Sequence, residues 1–240
     1  MGADTETKKT DKKNFDKVLS LLEFEYPNID DTQLPTKVTV SELKKRKEDE
    51  RLSDGVELFK RRTEFSENRQ GMTASEIGVA YHTVLQKYDL TKPPETKEDV
   101  KAMVEEIREK GFLTEEEAGA INPEKILKFF KSGTGRMMLS AKEVKREVMF
   151  CVSIIAKNFI TTTNSDKEIM LQGVIDCLLV TDEGLVVIDY KTDKNFDPND
   201  TVEKYRIQLD CYQYAAEKIF KKPVLSRILF MLDSGTGMSL

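Results

Sequence analysis

The chain has 240 residues and a formal net charge of −5 at neutral pH, and a chain of this length can bury the core of one large domain. The longest apolar runs, such as 184–190 and 222–232, are far shorter than the roughly 20 residues that a membrane span requires. Because proteins that bind nucleic acid on their own are usually basic, the charge disfavours a stand-alone nucleic-acid binder.

The N-terminal segment is polar, and the cysteines are few. Residues 1–13 are rich in Lys, Thr and Asp, which predicts disorder, and they contain no apolar stretch typical of a secretory signal. Cys151, Cys177 and Cys211 are odd in number and lack a Cys-x-x-Cys spacing. We therefore expect reduced, buried thiols in a cytoplasmic protein, and neither a disulfide set nor a zinc site.

Helical patterns dominate the first half of the chain. Apolar residues at helical spacing predict a helix over 14–24, and Ser41 is of a type that can cap a second helix. Residues 53–72 are charged and contain glycine, which predicts a loop. Further helices are predicted at 74–88 and 97–110.

Two short helices follow in what we interpret as a helical insertion at about 91–133. Thr114 and Glu117 have the spacing of a capping box, and the Asn-Pro pair at 122–123 provides a cap with proline at the first helical position. The sequence SGTG at 132–135 predicts a flexible joint. It lacks the Lys-Ser/Thr of a phosphate-binding loop.

The sequence becomes rich in β-formers after residue 143. The predicted elements of this half are strands at 145–157, 168–180, 185–191 and 222–231, and a helix at 201–220. The order along the chain is therefore helix, three strands, helix, strand. The helical insertion separates the first helix from the first strand.

The hairpin GVIDCLLVTDEGLVVIDYK carries two acids and a lysine among Val, Ile and Leu. If its TDEG segment forms the loop, Val180 pairs with Leu185. Counting back along both strands places Asp176 opposite Asp189, with Cβ atoms about 4.5–5.5 Å apart. Since side chains alternate between faces along a strand, Lys191 points to the same face as Asp189.

This arrangement of acids favours a metal site. Two ionised carboxylates about 5 Å apart repel each other by roughly 3 kcal/mol at an effective dielectric constant near 20. A divalent cation offsets more of this repulsion than one lysine, and oxygen ligands with water suit Mg²⁺ or Mn²⁺. The alternative is a surface-facing hairpin with an ordinary Asp–Lys pair, and a register shift of one residue would separate the acids.

Two helical features bear on the same site. Gln208 lies at the edge of the apolar stripe of the helix at 201–220, one turn before Tyr212. A buried amide needs partners, which either the polar patch of the hairpin or the backbone would supply. His82 is the single histidine of the chain; a lone histidine is more often structural, but Gly78 one turn earlier would allow close approach of another segment.

Together these pieces resemble the PD-(D/E)xK nuclease superfamily in its RecB-like branch. The resemblance rests on a Gly-xxx-His helix, the GVID and IDYK strands and a Gln-xxx-Tyr helix, which occur in that order. It implies an α/β fold with an αβββαβ core, in which helices flank a mixed central sheet. The domain would span 14–240, with N-terminal helices, the insertion at about 91–133 and a catalytic core at about 74–90 and 143–232.

The flanking segments resemble the C-terminal nuclease domain of AddA-type helicase–nuclease subunits. These segments are LLEFEYPNIDDTQLPTKVTVSELKK, REVMF and RILFMLDSGTGMSL. The resemblance implies exonuclease action on unwound single-stranded DNA during double-strand-break repair, helicase domains upstream in the same polypeptide, and an AddB-type partner subunit in a heterodimer. The proline of the family motif is replaced by Ile175, and the cysteines do not suit an iron–sulfur cluster.

The resemblance also implies roles for individual residues. It implies Mg²⁺, for which Mn²⁺ can substitute, bound by His82, Asp176, Asp189 and the main-chain carbonyl of Tyr190. Lys191 would position or deprotonate the attacking water, and Gln208 and Tyr212 would hold this lysine or the DNA strand. The alternatives are a non-catalytic DNA- or protein-binding module that keeps the fold, and a site-specific restriction-type endonuclease.

Overall fold

The computed structural model describes residues 14–22, 29–53, 71–193 and 197–240. The predicted disordered segment at 1–13 and most of the loop predicted at 53–72 lie outside the described residues. Within the described ranges, no helix combines the length and the apolar character that crossing a membrane requires.

The chain divides into two units, of which the smaller comprises Met1–Thr36 and Ile154–Ile169. It contains helix α1 at 14–22, helix α2 at Ile29–Thr32 and a 3-10 turn at Ala156–Asn158. The predicted first helix is thus confirmed over its described part. Apolar side chains of α1 are exposed, including Phe15 and Leu22.

A six-stranded mixed sheet organises the larger unit, which comprises Lys37–Ser153 and Met170–Leu240. The strands are β1 (Lys37–Thr39), β2 (Glu143–Ile155), β3 (Glu168–Val180), β4 (Leu185–Lys191), β5 (Val224–Met231) and β6 (Thr236–Ser239). The path runs β1-β3-β4-β5-β6, and β2 also pairs with β3. The β1–β3 and β4–β5 pairs are parallel, whereas β3–β4 and β5–β6 are antiparallel.

Seven helices of the larger unit are described. They are α3 (Val40–Ser53), α4 (Ala74–Lys87), α5 (Lys97–Glu109), α6 (Glu115–Ala120), α7 (Pro123–Lys131), α8 (Gly133–Ser140) and α9 (Pro198–Phe220). Capping boxes at Thr73, Thr96 and Thr114 begin three of them. The predicted α/β architecture, with helices flanking a mixed sheet, is confirmed.

The sheet is covered by helices on both faces. One face, with Ile188, Tyr190 and Phe230, belongs to a buried cluster that includes Val84 of α4 and Phe129 of α7. Helix α9 contacts β4 and β5, and α3 contacts α9. Because β4 is buried on both faces, its sequence is almost continuously apolar, which makes its two charged residues the exception.

Three local predictions are wrong. Helix α3 is capped by Thr39 and not by Ser41: the Thr39 hydroxyl accepts from the Glu42 amide, and the Glu42 carboxylate accepts from the Thr39 amide. Cys151 is exposed, although Cys177 and Cys211 are buried as predicted. The two short strands β1 and β6 were not predicted as separate elements.

The SGTG segment is a helix start and not a flexible joint. The Ser132 hydroxyl accepts a hydrogen bond from the Gly135 amide, 3.0 Å away, and thereby caps α8. Gly135 is buried, and a Cβ there would lie 2.1 Å from the carbonyl oxygen of Phe129. Glycine is required here for close helix–helix contact between α7 and α8, because any side chain would overlap the backbone.

Candidate functional site

The predicted register of the hairpin is confirmed. Val180 pairs with Leu185, and the ladder continues to the pair of Cys177 and Ile188. The next position on β3 is Asp176, and its carboxylate Oδ2 accepts a hydrogen bond of 2.9 Å from the main-chain amide of Tyr190. A side chain thus takes a strand amide as its donor, directly beyond the last pair of the ladder.

Helix α4 brings His82 to this position. Its Nδ1 lies 3.5 Å from Asp176 Oδ2, and its Nε2 lies 3.1 Å from the carbonyl oxygen of Tyr190. Gly78 lies one turn earlier, where a Cβ would be 3.2 Å from Thr192 Oγ1. The helix therefore approaches the end of β4 closely, as the Gly-xxx-His spacing predicts.

A third potential ligand, Glu147 of β2, was not selected from the sequence. His82, Glu147 and Asp176 each offer one ligand atom, and these atoms all lie within 4.8 Å of one another. Glu147 has a φ of +52°, a left-handed conformation that costs a non-glycine residue free energy and is common at functional sites. The only sequence signal was its position in the REVMF segment, because the left-handed backbone cannot be read from the residue type.

Asp189 and Lys191 form a second, adjoining network on β4. Lys191 Nζ lies 2.6 Å from Asp189 Oδ2, as an ion pair that does not meet the angles of a hydrogen bond. Gln208 donates through Nε2 to Asp189 Oδ1 and to the Tyr212 hydroxyl, both at 2.8 Å. Gln208 therefore contacts the acid directly and reaches Lys191 only through that acid. Asp189 is fully buried and is not a member of the group around His82.

Burial and mutual repulsion shift the pKa values of these groups. Burial, together with the charge of Asp189, raises the pKa of Asp176 well above its usual value. Burial and the nearby ammonium of Lys191 lower the pKa of His82. Burial alone would lower the pKa of Lys191, but the charges of Asp189 and Asp176 outweigh it and the pKa is raised.

The donor set fits a divalent cation. A neutral imidazole has one N–H, yet both ring nitrogens of His82 face oxygen acceptors. One nitrogen therefore presents a lone pair to an oxygen, an arrangement that a cation between them would relieve. Asp176 and Glu147 add carboxylate oxygens, which Mg²⁺ and Mn²⁺ prefer.

A groove opens the site to solvent. Its volume is about 810 Å³. Its lining includes Gly78, His82, Glu147, Tyr190, Lys191 and Tyr205. Of the residues predicted from the sequence, the structure brings His82, Asp176 and the Tyr190 carbonyl together, with Asp189, Lys191, Gln208 and Tyr212 in the adjoining network.

Comparisons with known proteins place this geometry in a family. The family model described as the PD-(D/E)XK nuclease superfamily matches residues 51–236, which is more than half of the chain. Curated relatives named as ATP-dependent helicase/nuclease subunits of the AddA type are 36% identical in Bacillus velezensis and 35% in Bacillus licheniformis, over 94% and 89% of this chain. A relative of the same name from Clostridium botulinum is 33% identical over 91% of this chain.

The chain spans about a fifth of the length of these relatives, since the matched parts cover 20%, 19% and 18% of them. Among solved structures, the crystal structure of SSO0001 aligns with 72% of this chain and 78% of its own, at 17% identity and a TM-score of 0.31. That likeness is too weak to indicate more than a general resemblance.

Proposed function

The chain belongs to the PD-(D/E)XK nuclease superfamily, and from that premise we propose that it is a divalent-metal-dependent nuclease domain that hydrolyses phosphodiester bonds of single-stranded DNA. The observation that carries the proposal is the convergence of His82, Glu147 and Asp176 at a groove that Lys191 also lines. A non-catalytic module that kept only the fold would have no need of this buried and mutually repelling set.

The names of the relatives support a wider setting. We propose that the domain acts as the exonuclease of an ATP-dependent helicase–nuclease in the cytoplasm, on DNA unwound during double-strand-break repair by recombination. Helicase domains of the same polypeptide and an AddB-type subunit would be its partners. The net charge of −5 is consistent with this setting, because a domain that receives its strand from a motor need not supply all of the electrostatic attraction itself.

The residues that would hold the ion are His82, Asp176 and Glu147, with the Tyr190 carbonyl beside them and Asp189 in the adjoining network. When bound, Mg²⁺ or Mn²⁺ would lower the pKa of water and polarise a phosphate oxygen. The family uses divalent metals, and the donor atoms present here are of the matching kind. Glu147 extends the ligand set that the sequence indicated.

Lys191 would act as a fixed cation. Its raised pKa favours the protonated ammonium, so it would orient the attacking water and stabilise negative charge on the phosphate, and would not act as the base. In the reaction, the water oxygen forms a bond to phosphorus, the bond from phosphorus to the 3′ oxygen breaks, and the proton lost by water returns to solvent. Gln208 would keep Asp189, and through it Lys191, in position.

The test is cleavage of end-labelled single-stranded DNA in Mg²⁺ or Mn²⁺, with EDTA as the metal-free control. We expect cleavage by the wild-type chain and a loss of at least about 100-fold in Asp189→Ala. Asp182→Ala is the matched control, because Asp182 is an exposed acid in the turn of the same hairpin. Absence of metal-dependent cleavage by the wild-type chain would contradict the proposal, and cleavage of duplex DNA only at defined sequences would indicate a restriction-type enzyme.

A further inference from the structure

A cluster of ammonium groups surrounds Tyr205 beside the groove. Three lysines have their Nζ atoms over the Tyr205 ring: Lys44 at 3.8 Å from the ring centroid, Lys191 at 4.8 Å and Lys204 at 5.1 Å. Attraction of a cation to an aromatic face stabilises each contact modestly. Three like charges around one ring also repel one another, so this arrangement needs a further explanation.

Lys44 is the member of this cluster that the proposed mechanism does not use. It lies on α3, is partly buried, and has no carboxylate of the described residues within ion-pair distance, not even Glu48 one turn later. Burial, with the nearby charge of Lys191, lowers the pKa of the Lys44 ammonium to about 8. A partly desolvated cation next to other cations costs the folded state free energy, and an anionic ligand would recover it.

The neighbouring acids are already engaged. Asp193 Oδ2 accepts a hydrogen bond of 2.7 Å from the Tyr205 hydroxyl, and Asp189 pairs with Lys191. Within the described part of the chain, Lys44 and Lys204 therefore leave uncompensated positive charge next to Tyr205, which itself lines the groove that contains His82 and Lys191.

We propose that Lys44, supported by Tyr205, forms a phosphate-binding subsite for a single strand of DNA, at a linkage other than the one that is cut. A lysine ammonium is a compact point charge suited to a phosphate oxygen. The Tyr205 ring is buried and so is unavailable for stacking a base, which leaves the sugar–phosphate backbone as the part of the strand that is recognised. The inference rests on the proposed function, since it takes the groove to receive DNA.

The variant that tests this subsite is Lys44→Met, which keeps an unbranched apolar stem over Tyr205 and removes the charge. Lys45→Met is the matched control, because Lys45 is the next residue of α3 and is exposed. Lys44→Arg restores the charge. Thermal unfolding of each variant gives a second readout: a purely structural lysine would lower the melting temperature when replaced, whereas removal of an uncompensated cation should leave it unchanged or raise it.

Binding of a fluorescein-labelled oligothymidylate of about 12 nucleotides, measured by anisotropy in EDTA, avoids cleavage. We expect about tenfold weaker binding by Lys44→Met, a change below about twofold by Lys45→Met, and recovery by Lys44→Arg. Loss of one phosphate contact should also reduce the slope of log affinity against log salt by about 0.7.

Methylphosphonate substitution, one linkage at a time, identifies the phosphate. At one linkage it should weaken wild-type binding about tenfold and have no further effect in Lys44→Met. Additive effects at every linkage, equal binding by the Lys44→Met and Lys45→Met variants, or no DNA binding by the wild-type chain would each overturn the subsite. If the wild-type chain binds in EDTA but does not cut in Mn²⁺, the proposed nuclease function fails while the coupling result still decides on Lys44.

Discussion

The carboxylate of Asp176 accepts a hydrogen bond of 2.9 Å from the main-chain amide of Tyr190, directly beyond the last pair of the β3–β4 ladder. The carbonyl of the same Tyr190 faces His82 Nε2 at 3.1 Å. One peptide segment of β4 thus orients both an acid and an imidazole. Changes at this segment should therefore affect the acid and the imidazole together.

Asp176→Asn should stabilise the metal-free protein, because it removes a buried charge that Asp189 repels and keeps an oxygen for the Tyr190 amide. We expect a gain of about 1–4 kcal/mol in the free energy of unfolding at neutral pH. Since the pKa of Asp176 is raised in the folded state, its ionisation destabilises the fold as pH rises above about 4. The gap between variant and wild type should therefore widen with pH in denaturant titrations with EDTA, and a stabilising effect of Mn²⁺ should be lost in the variant.

Gln208→Leu should lower kcat by about 10–100-fold and leave KM for DNA within about twofold, because Gln208 orients Asp189 and orienting partners have effects of this size. Gln213→Leu is the control, since Gln213 lies on the same helix and donates to Glu217 instead. Steady-state kinetics separates the two parameters. A rise in KM with unchanged kcat would mean that Gln208 holds the strand, as the sequence also allowed.

Arg146→Met should destabilise the fold by about 2 kcal/mol. The Arg146 guanidinium donates to the carbonyl oxygens of Leu85 and Tyr88, at 3.3 and 2.7 Å, and thereby ties β2 to the C-terminal end of α4. Arg136→Met removes an exposed contact of the same kind, to the Lys131 carbonyl, and should change stability by less than about 0.5 kcal/mol.

Because Glu147 directly follows Arg146, Mn²⁺ affinity measured by calorimetry should also fall, by about tenfold, in Arg146→Met. Equal stability of the two arginine variants would contradict this role of Arg146.

Gly135→Ala should destabilise the fold by about 3 kcal/mol or more, because the new Cβ would lie 2.1 Å from the Phe129 carbonyl oxygen. Gly119→Ala is the matched change in α6, where no atom lies within 4 Å of the added carbon. It should stabilise by about 0.5–1 kcal/mol through helix propensity. Chemical denaturation measures both, and a neutral Gly135→Ala would mean that α7 and α8 pack less closely.

The parts of the site that the sequence predicted depend on local rules. The TDEG turn set the hairpin register, so Asp176 and Asp189 were found by counting along two strands. The i, i+4 spacing of Gln208 and Tyr212 predicted their neighbourhood on α9, and the two side chains do share a hydrogen bond.

The parts that the sequence did not predict depend on tertiary structure. The position of Glu147 follows from a left-handed backbone in β2, which no residue type requires. The cluster at Lys44 forms only because α3 contacts α9, far apart in the chain. The cap at Thr39 was missed because Ser41 is an equally good capping residue by type, and only the backbone decides between them.

The most direct measurement is an anomalous difference map from crystals of the chain soaked with Mn²⁺. We expect one strong peak within bonding distance of His82 and Asp176, with carboxylate or carbonyl oxygens of Glu147 or Tyr190 completing the protein ligands, and loss of the peak in Asp176→Asn. Mn²⁺ bound only elsewhere, with His82 and Asp176 contacting each other and no ion, would contradict a metal-dependent nuclease site at this position.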